Sequence, residues 1–456
     1  MIKNRPELLS HGFVKGREIA LDIVEHALRE VNPYTAVKET LELHGNRLQV
    51  GEEQFDLHTI KNIYTIGAGK ATYPLAAALE DILGDRITDG FIAVKEGQAE
   101  PFYRMWGHLS RIRVSETAHP IPDKRSLEAG KEIFRIAQQA EKGDMVFCLM
   151  SGGVSAQSIY PVDGISLQDK MIVNRLLVHS GADITEIMTV RRHLSRIKGG
   201  RLAHIMLPAT VISLTVSDEK TDTMEWNTDW TSPDSTTLSD AMRVLEKYGL
   251  FEKVSMSVQN YLSTQTPEKE TPKAFSGAPL YYCMVVRTRD LGDAAVRRAK
   301  EIGLTPAILT TLLNGESREV GRTIAAIAKE IHLSGRPFKA PCALIATGET
   351  AVRIEGPSRG LGGANQELAA GGCLDLQQMD PIVICALDTD GTDGPTELSG
   401  ALTDGSTVRR AAEKGCDFHR ILMAHDVAGV LKTVNDAIIT GPTGTNVNDL
   451  IVGVIL

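Results

Sequence analysis

Short runs rich in valine, isoleucine and leucine alternate along this chain with longer stretches of helical period. The runs include Ile63–Ile66, Met145–Met150, Thr210–Val216, Ala343–Ala346 and Ile382–Leu387; between them, Arg17–Val31, Ser126–Glu141 and Glu319–His332 predict helices. A parallel strand covered by helices on both faces carries an almost unbroken apolar run, so the alternation predicts βαβ units and an α/β fold. Each run leads into a small, polar segment: Gly67-Ala-Gly-Lys70, Ser151-Gly-Gly-Val-Ser155, Ser217-Asp218, Thr347-Gly-Glu349 and Asp388-Thr-Asp-Gly-Thr-Asp-Gly394. Ligands of open parallel sheets sit beyond the carboxyl ends of the strands, which is where these five loops would lie.

Residues 218–239 and 259–279 read as long connections. The second carries Pro267, Pro272 and Pro279 among threonine, serine, lysine and glutamate, and marks a boundary between a domain over residues 1–260 and another over 280–456. With 456 residues, 42% hydrophobic and 23% charged, the chain has enough apolar material for two such cores.

The net charge of −9 argues against general affinity for nucleic acid or an anionic membrane surface, so an anionic ligand must be met locally. Six scattered cysteines without a CxxC pair read as reduced thiols rather than disulfides or a zinc site. The N-terminus lacks the apolar core of a signal peptide and no run is long enough to span a bilayer, so a cytoplasmic protein is expected.

Candidate chemistry is concentrated in four places. Gly67-Ala-Gly-Lys70 is not a Walker A loop, since Tyr64 stands at the first glycine position and Ala71 replaces the hydroxyl; Thr72 breaks the dinucleotide fingerprint. Gly67 and Gly69 would nevertheless let backbone amides approach an anion, with Lys70 adding a point charge. Ser151, Gly152, Gly153 and Ser155 offer similar donors and two hydroxyls, outside the GxSxG pattern of hydrolases. Arg191, Arg192, His193, Arg196, Lys198 and Arg201 form a basic span, part solvated face and part clamp for phosphate or carboxylate. Asp388, Asp390 and Asp393 read either as a solvated turn or as carboxylates collecting a cation. An EF-hand register fails, because Ala386 occupies the first ligand position and Pro395 interrupts the loop.

In their order along the chain, Ile66-Gly-Ala-Gly-Lys-Ala71, Glu116-Thr-Ala-His-Pro-Ile-Pro-Asp123, Ser151-Gly-Gly-Val-Ser-Ala156, Val190-Arg-Arg-His-Leu-Ser195, Asn365-Gln-Glu-Leu368, Thr389-Asp-Gly-Thr-Asp-Gly-Pro395 and Thr440-Gly-Pro-Thr-Gly-Thr-Asn-Val-Asn-Asp449 resemble the type II glycerate kinases. That family carries a C-terminal MOFRL domain and includes chains called hydroxypyruvate reductases. The resemblance implies two α/β domains, a larger Rossmann-like N-terminal one with a parallel sheet and a smaller C-terminal one, with a site in the cleft between them. It implies transfer of phosphate from ATP, with Mg2+, to the 2-hydroxyl of D-glycerate or a related small hydroxy acid. Lys70, Arg192 and Lys198 would be catalytic. Gly67, Gly69, Ser151, Gly152, Gly153, Ser155, Arg191, Glu349, Asn365, Thr443 and Asn446 would bind substrate or phosphate, and Asp218, Asp390 and Asp393 the metal.

The chain departs from the family at several positions. Thr221 and Thr223 replace a glycine and an aspartate beside Asp222, Leu361 and Ala364 stand where arginines are common, Arg192 replaces a lysine and Met188 an asparagine. Two other functions stay open: a hydroxypyruvate reductase, for which the nicotinamide fingerprint is missing, and a ligand-binding member without catalysis. A homodimer is compatible with either.

Overall fold

The computed structural model describes residues 1–218, 229–354 and 360–456. Positions 221, 222 and 223, where the family pattern is altered, lie outside them. The chain forms two compact units. The first runs from Pro33 to Ser217 and continues to Val285; the second holds Met1–Asn32, Asp218 and Val286–Leu456. The linear division read from the sequence therefore differs from the contacts at the N-terminus, whose first 32 residues pack with the C-terminal part of the chain.

In the first unit an antiparallel meander of β1 (Leu41–His44), β2 (Arg47–Val50) and β3 (Glu53–Asp56) precedes the main sheet. The sheet contains β4 (Ile63–Ala68), β5 (Ile87–Lys95), β6 (Ile112–Thr117), β7 (Met145–Met150), β8 (Thr210–Ser217) and β9 (Leu280–Arg287) in the order β6-β5-β4-β7-β8-β9. The pairs β5–β6, β4–β5, β4–β7 and β7–β8 are parallel. From β4 the chain steps outward through β5 to β6, then returns to lay β7 on the other side of β4. That reversal is the switch point at which a doubly wound sheet opens a crevice, because the connections on its two sides diverge. Every residue of β4 and β7 is buried, as the apolar runs require; Ile66, Cys148 and Val211 pack with Ile133, Ile136 and Trp230.

The second unit has β10 (Thr305–Leu313), β11 (Cys342–Gly348), β12 (Ile382–Asp388), β13 (Gly400–Asp404), β14 (Ala437–Ile438) and β15 (Asp449–Ile455), ordered β10-β11-β15-β12-β13-β14. Here the expectation of a largely parallel sheet gives way to a mixed one. The loop before β15 delivers the chain to the carboxyl ends of β11 and β12, so β15 enters there and runs back antiparallel to both; Asp449 faces Gly348 on one side and Asp388 on the other. Among the described residues no helix is long and apolar enough to cross a membrane.

The helix Val14–Glu30 is held in the second unit by a buried arginine. Arg17 Nε lies 2.5 Å from Asp404 Oδ2 and its other nitrogen 2.8 Å from Asp436 Oδ1, while Arg410 also reaches Asp436 at 2.7 Å. Burial alone would raise both carboxyls, but the Arg17 charge together with the hydrogen bonds each accepts outweighs it and holds them below the ordinary carboxylate range. Stability from this pairing is thus present above the ordinary carboxylate pKa and lost as pH falls through the lower native values. Replacing Arg17 with Met leaves two carboxylates buried without it and should destabilise the protein by about 3–5 kcal/mol in urea titrations. The variant should also reverse the acid limb, becoming relatively more stable as pH falls toward the carboxylate range; an unchanged midpoint and limb would refute the assignment.

Candidate active site

At the switch point the loops after β4 and β7 are stitched to each other. The amide of Lys70 donates to the Gly152 carbonyl at 2.9 Å, Ala71 to Ser151 Oγ at 2.9 Å, and Gly69 to Gln157 Oε1 at 3.1 Å. Thr72, first residue of the helix Thr72–Leu83, returns its amide to the Gly69 carbonyl at 3.3 Å. The glycines are explained by this closeness. A Cβ at Gly67 would come within 2.8 Å of the Leu149 carbonyl oxygen, and one at Gly69, whose φ is +132°, would strike Ser151. The amides that the sequence offers to an anion at Gly69 and Lys70 are therefore engaged within the protein. Gly153, at φ +93°, is where the Lys70 stem passes: an added Cβ would stand 3.3 Å from Lys70 Cγ and 3.3 Å from His119 Cδ2.

The basic span supplies the neighbouring charges, and the structure gives two of its members partners that the sequence does not reveal. Lys198 Nζ is 2.6 Å from Asp229 Oδ2 and donates to Ser155 Oγ at 2.8 Å. Arg192 Nε is 2.8 Å from Asp229 Oδ1, with Asp234 Oδ1 at 3.4 Å. All four charged groups are buried. Burial lowers the Lys198 pKa despite Asp229, whereas Asp229, which burial alone would raise, is held below its usual range by Lys198 and Arg192. Arg192 and Lys198, expected as catalytic, are thus compensated internally, and Lys198 fixes the Ser155 hydroxyl.

Arg191 is placed differently. Its Nε donates to Asn174 Oδ1 at 3.2 Å, and among the described residues no carboxylate lies within ion-pair distance. Behind it Lys170 is buried, donating to the Arg191 carbonyl at 2.5 Å; burial, then the charges of Lys198 and Arg191, push its pKa well down. Burial is the main cause, and the neighbouring cations act in the same direction. Arg191, Gly153 and Ser155 line a cavity of about 650 Å3.

In the second unit the aspartates mostly shape their own loop. Asp388 Oδ1 accepts the Asp390 amide at 2.9 Å, and Asp390 Oδ1 accepts the amide and hydroxyl of Thr392, both at 2.7 Å. Asp393 takes four N–H donors, the amides and side-chain amides of Asn365 and Gln366, at 2.9–3.3 Å. It thereby caps the helix Ala364–Asp375 from outside its own strand, and its buried carboxyl is pushed up to about 6 by desolvation that these donors only partly offset. A carboxylate with its lone pairs so occupied does not fit a metal ligand. Asp218 accepts from Asn446 Nδ2 at 2.9 Å, and Thr443 donates its hydroxyl to the Thr389 carbonyl. No three His, Cys, Asp or Glu among the described residues are grouped to hold a metal.

A second cavity, of about 370 Å3, opens where β11, β12 and β15 meet; Glu349, Asn365, Asp388 and Asp449 line it. Asn365 Nδ2 donates to Asp449 Oδ1 at 2.8 Å, while Asn365 Oδ1 and Asp449 Oδ2 are buried without a hydrogen-bond partner among the described residues. Burial, with Asp393 and Glu349 nearby, raises the Asp449 pKa well above the carboxylate range. Ala364 also lines this cavity, so an arginine there would stand in the cavity itself, whereas Leu361 is exposed. Sequence reading missed Asp229, Asp234 and Asp449 as members of these clusters. Only Asp449 had a signal, an isolated acid at the head of the apolar run Leu450–Leu456.

Loops gathered at the switch point of a Rossmann-like sheet, with cations beside a deep cavity, are the design of an α/β enzyme that handles a small anionic molecule. The chain matches a domain of unknown function, DUF4147, over residues 19–263 and the MOFRL family over residues 342–449. It is 38% identical over 441 residues to the glycerate 2-kinase of Pyrococcus horikoshii, covering 96% of this chain and 97% of that protein. Identity to the D-glycerate 2-kinase of Thermotoga maritima is 37% over 443 residues, or 96% and 98% of the two chains. A crystal structure of glycerate kinase from Thermotoga maritima matches with a TM-score of 0.81 at 36% identity, over 96% of this chain and 99% of that one. The chain belongs to the glycerate 2-kinase family, a family of phosphotransferases.

The Asp229 pairing makes a direct prediction. Asp229→Ala leaves Lys198 and Arg192 buried beside each other without their shared carboxylate, and should lower unfolding stability by about 3–5 kcal/mol. Urea unfolding checks this, and a midpoint equal to that of the parent chain would show that the cations do not depend on Asp229.

Proposed function

We propose that the protein transfers the terminal phosphoryl group of ATP, bound as its magnesium complex, to the 2-hydroxyl of D-glycerate. The observation that carries this reading is the position of Lys70, held at the switch point by the backbone bond to Gly152, with its stem against Gly153 and with Ser155, two residues further on, bonded to Lys198. Phosphoryl transfer asks little covalent chemistry of a protein; it needs the reactants in line and the charge on the transferring group balanced. Lys70 supplies an ammonium for that charge, Ser155 a hydroxyl oriented by Lys198, and Arg191 a guanidinium that among the described residues forms no ion pair.

Magnesium typically binds through one or two carboxylates together with substrate phosphates and water. Asp218 and Asp390 are the carboxylates to which an ion that arrives with the nucleotide could be shared. The second cavity offers further polar lining: among the described residues, the buried oxygens Asn365 Oδ1 and Asp449 Oδ2 lack a hydrogen-bond partner and could accept from a hydroxyl group.

The test is ADP release by the purified protein with ATP and Mg2+ across D-glycerate, L-glycerate, tartronate and four-carbon sugar acids. D-Glycerate should turn over, and Lys70→Ala should lower kcat by about 10²–10³-fold, the scale seen when one preorganised charge-stabilising group is removed. A folded, nucleotide-binding protein that releases no ADP with D-glycerate would refute the reading, as would NADH oxidation with hydroxypyruvate in its place.

A further inference from the structure

The cavity beside Arg191 is larger than a three-carbon acid and unlike one in character. Its apolar lining comes from the segment Pro120-Ile121-Pro122 and, on the helix Leu167–Val178, from Met171, Ile172 and Val178. Ile121 and Val178 are 66% and 58% exposed. Apolar lining of this kind suits the faces of a flat ring. At about 650 Å3 the space lies within the range of pockets that enclose a drug-sized ligand.

Cations stand among these apolar residues. Arg191 and Arg175 both line the cavity, and among the described residues neither forms an ion pair with a carboxylate. Ser155 and Gly153 continue the lining, and Gly153 is the residue against which the Lys70 stem packs. A molecule that matches this lining has a flat apolar part and an anionic part.

From this we infer that the cavity holds the base and ribose of the nucleoside triphosphate, its phosphates passing Arg175 and Arg191 on the way to Lys70. This rests on the phosphotransfer reading above and deepens it by assigning the nucleotide to the 33–285 unit. It also makes Ile172 and Arg175 determinants of nucleotide affinity and not of acceptor affinity.

Binding of Mg-ATP by calorimetry without any acceptor tests this, in the wild-type chain and in two variants. Ile172→Trp adds bulk to the apolar lining. Arg175→Glu reverses a charge on an exposed, unpaired side chain, so it keeps the test readable should the tryptophan disturb folding. Each variant should weaken Mg-ATP binding and raise the KM for ATP by about tenfold or more, with the KM for D-glycerate within about twofold of wild type. Unchanged ATP affinity in Arg175→Glu and a thermally intact Ile172→Trp overturns the inference, as does a rise confined to the KM for D-glycerate or a wild-type chain that does not bind Mg-ATP. A wild-type chain that binds Mg-ATP yet phosphorylates no acid defeats the phosphotransfer reading alone; one that makes phosphoglycerate while both variants bind ATP normally defeats the cavity assignment alone.

Discussion

The hydrogen bonds joining the loop after β4 to the loop after β7 are the constraint on which the 33–285 unit depends. Where the strand order reverses, two neighbouring strands end side by side, and their loops must either splay apart or satisfy each other. Here they satisfy each other: Gly69, Lys70 and Ala71 donate to Gln157, Gly152 and Ser151. The contact is so close that a methyl group fits at neither Gly67 nor Gly69. The glycines thus serve an approach of backbone to backbone where a phosphate loop would serve an approach of backbone to ligand. The consequence is chemical: those three amides are engaged within the protein and are not offered to a ligand.

Charge is managed in opposite ways in the two units. In the first, a chain of net charge −9 sets Arg192 and Lys198 around the buried carboxylate of Asp229, and burial, with the nearby cations, depresses Lys170. In the second, the crowded aspartates of 388–393 are met by backbone and side-chain N–H groups. Asp393 is the clearest case, since a carboxylate with four donors stabilises a helix start while remaining hard to ionise because it is buried. The negative charge packed into that turn is first of all the means by which the turn and the neighbouring helix are built.

Much of this was legible in the sequence because it is local. Apolar runs mark β4, β7, β8, β11 and β12, and the polar segments after them mark the carboxyl ends where the cavities lie. What was not legible depends on partners far apart in the chain. Arg17 pairs across 387 residues with Asp404, which moves the N-terminal helix into the second unit. The run after Asp449 enters the sheet antiparallel between β11 and β12, a register that no periodicity encodes. Arg192 and Lys198 look like free cations until Asp229 is placed between them. Glycine-rich segments were ambiguous for a similar reason, because closeness to a ligand and closeness to another loop select the same residue.

The regiochemistry of the product tests the central claim most directly. Phosphorus and carbon NMR of a complete reaction of D-glycerate with ATP and Mg2+ identifies which oxygen has become the ester. The account predicts phosphate on the carbon-2 oxygen, with ADP formed in equal amount. An ester on carbon 3, or ATP consumed without any phosphoglycerate, would contradict it.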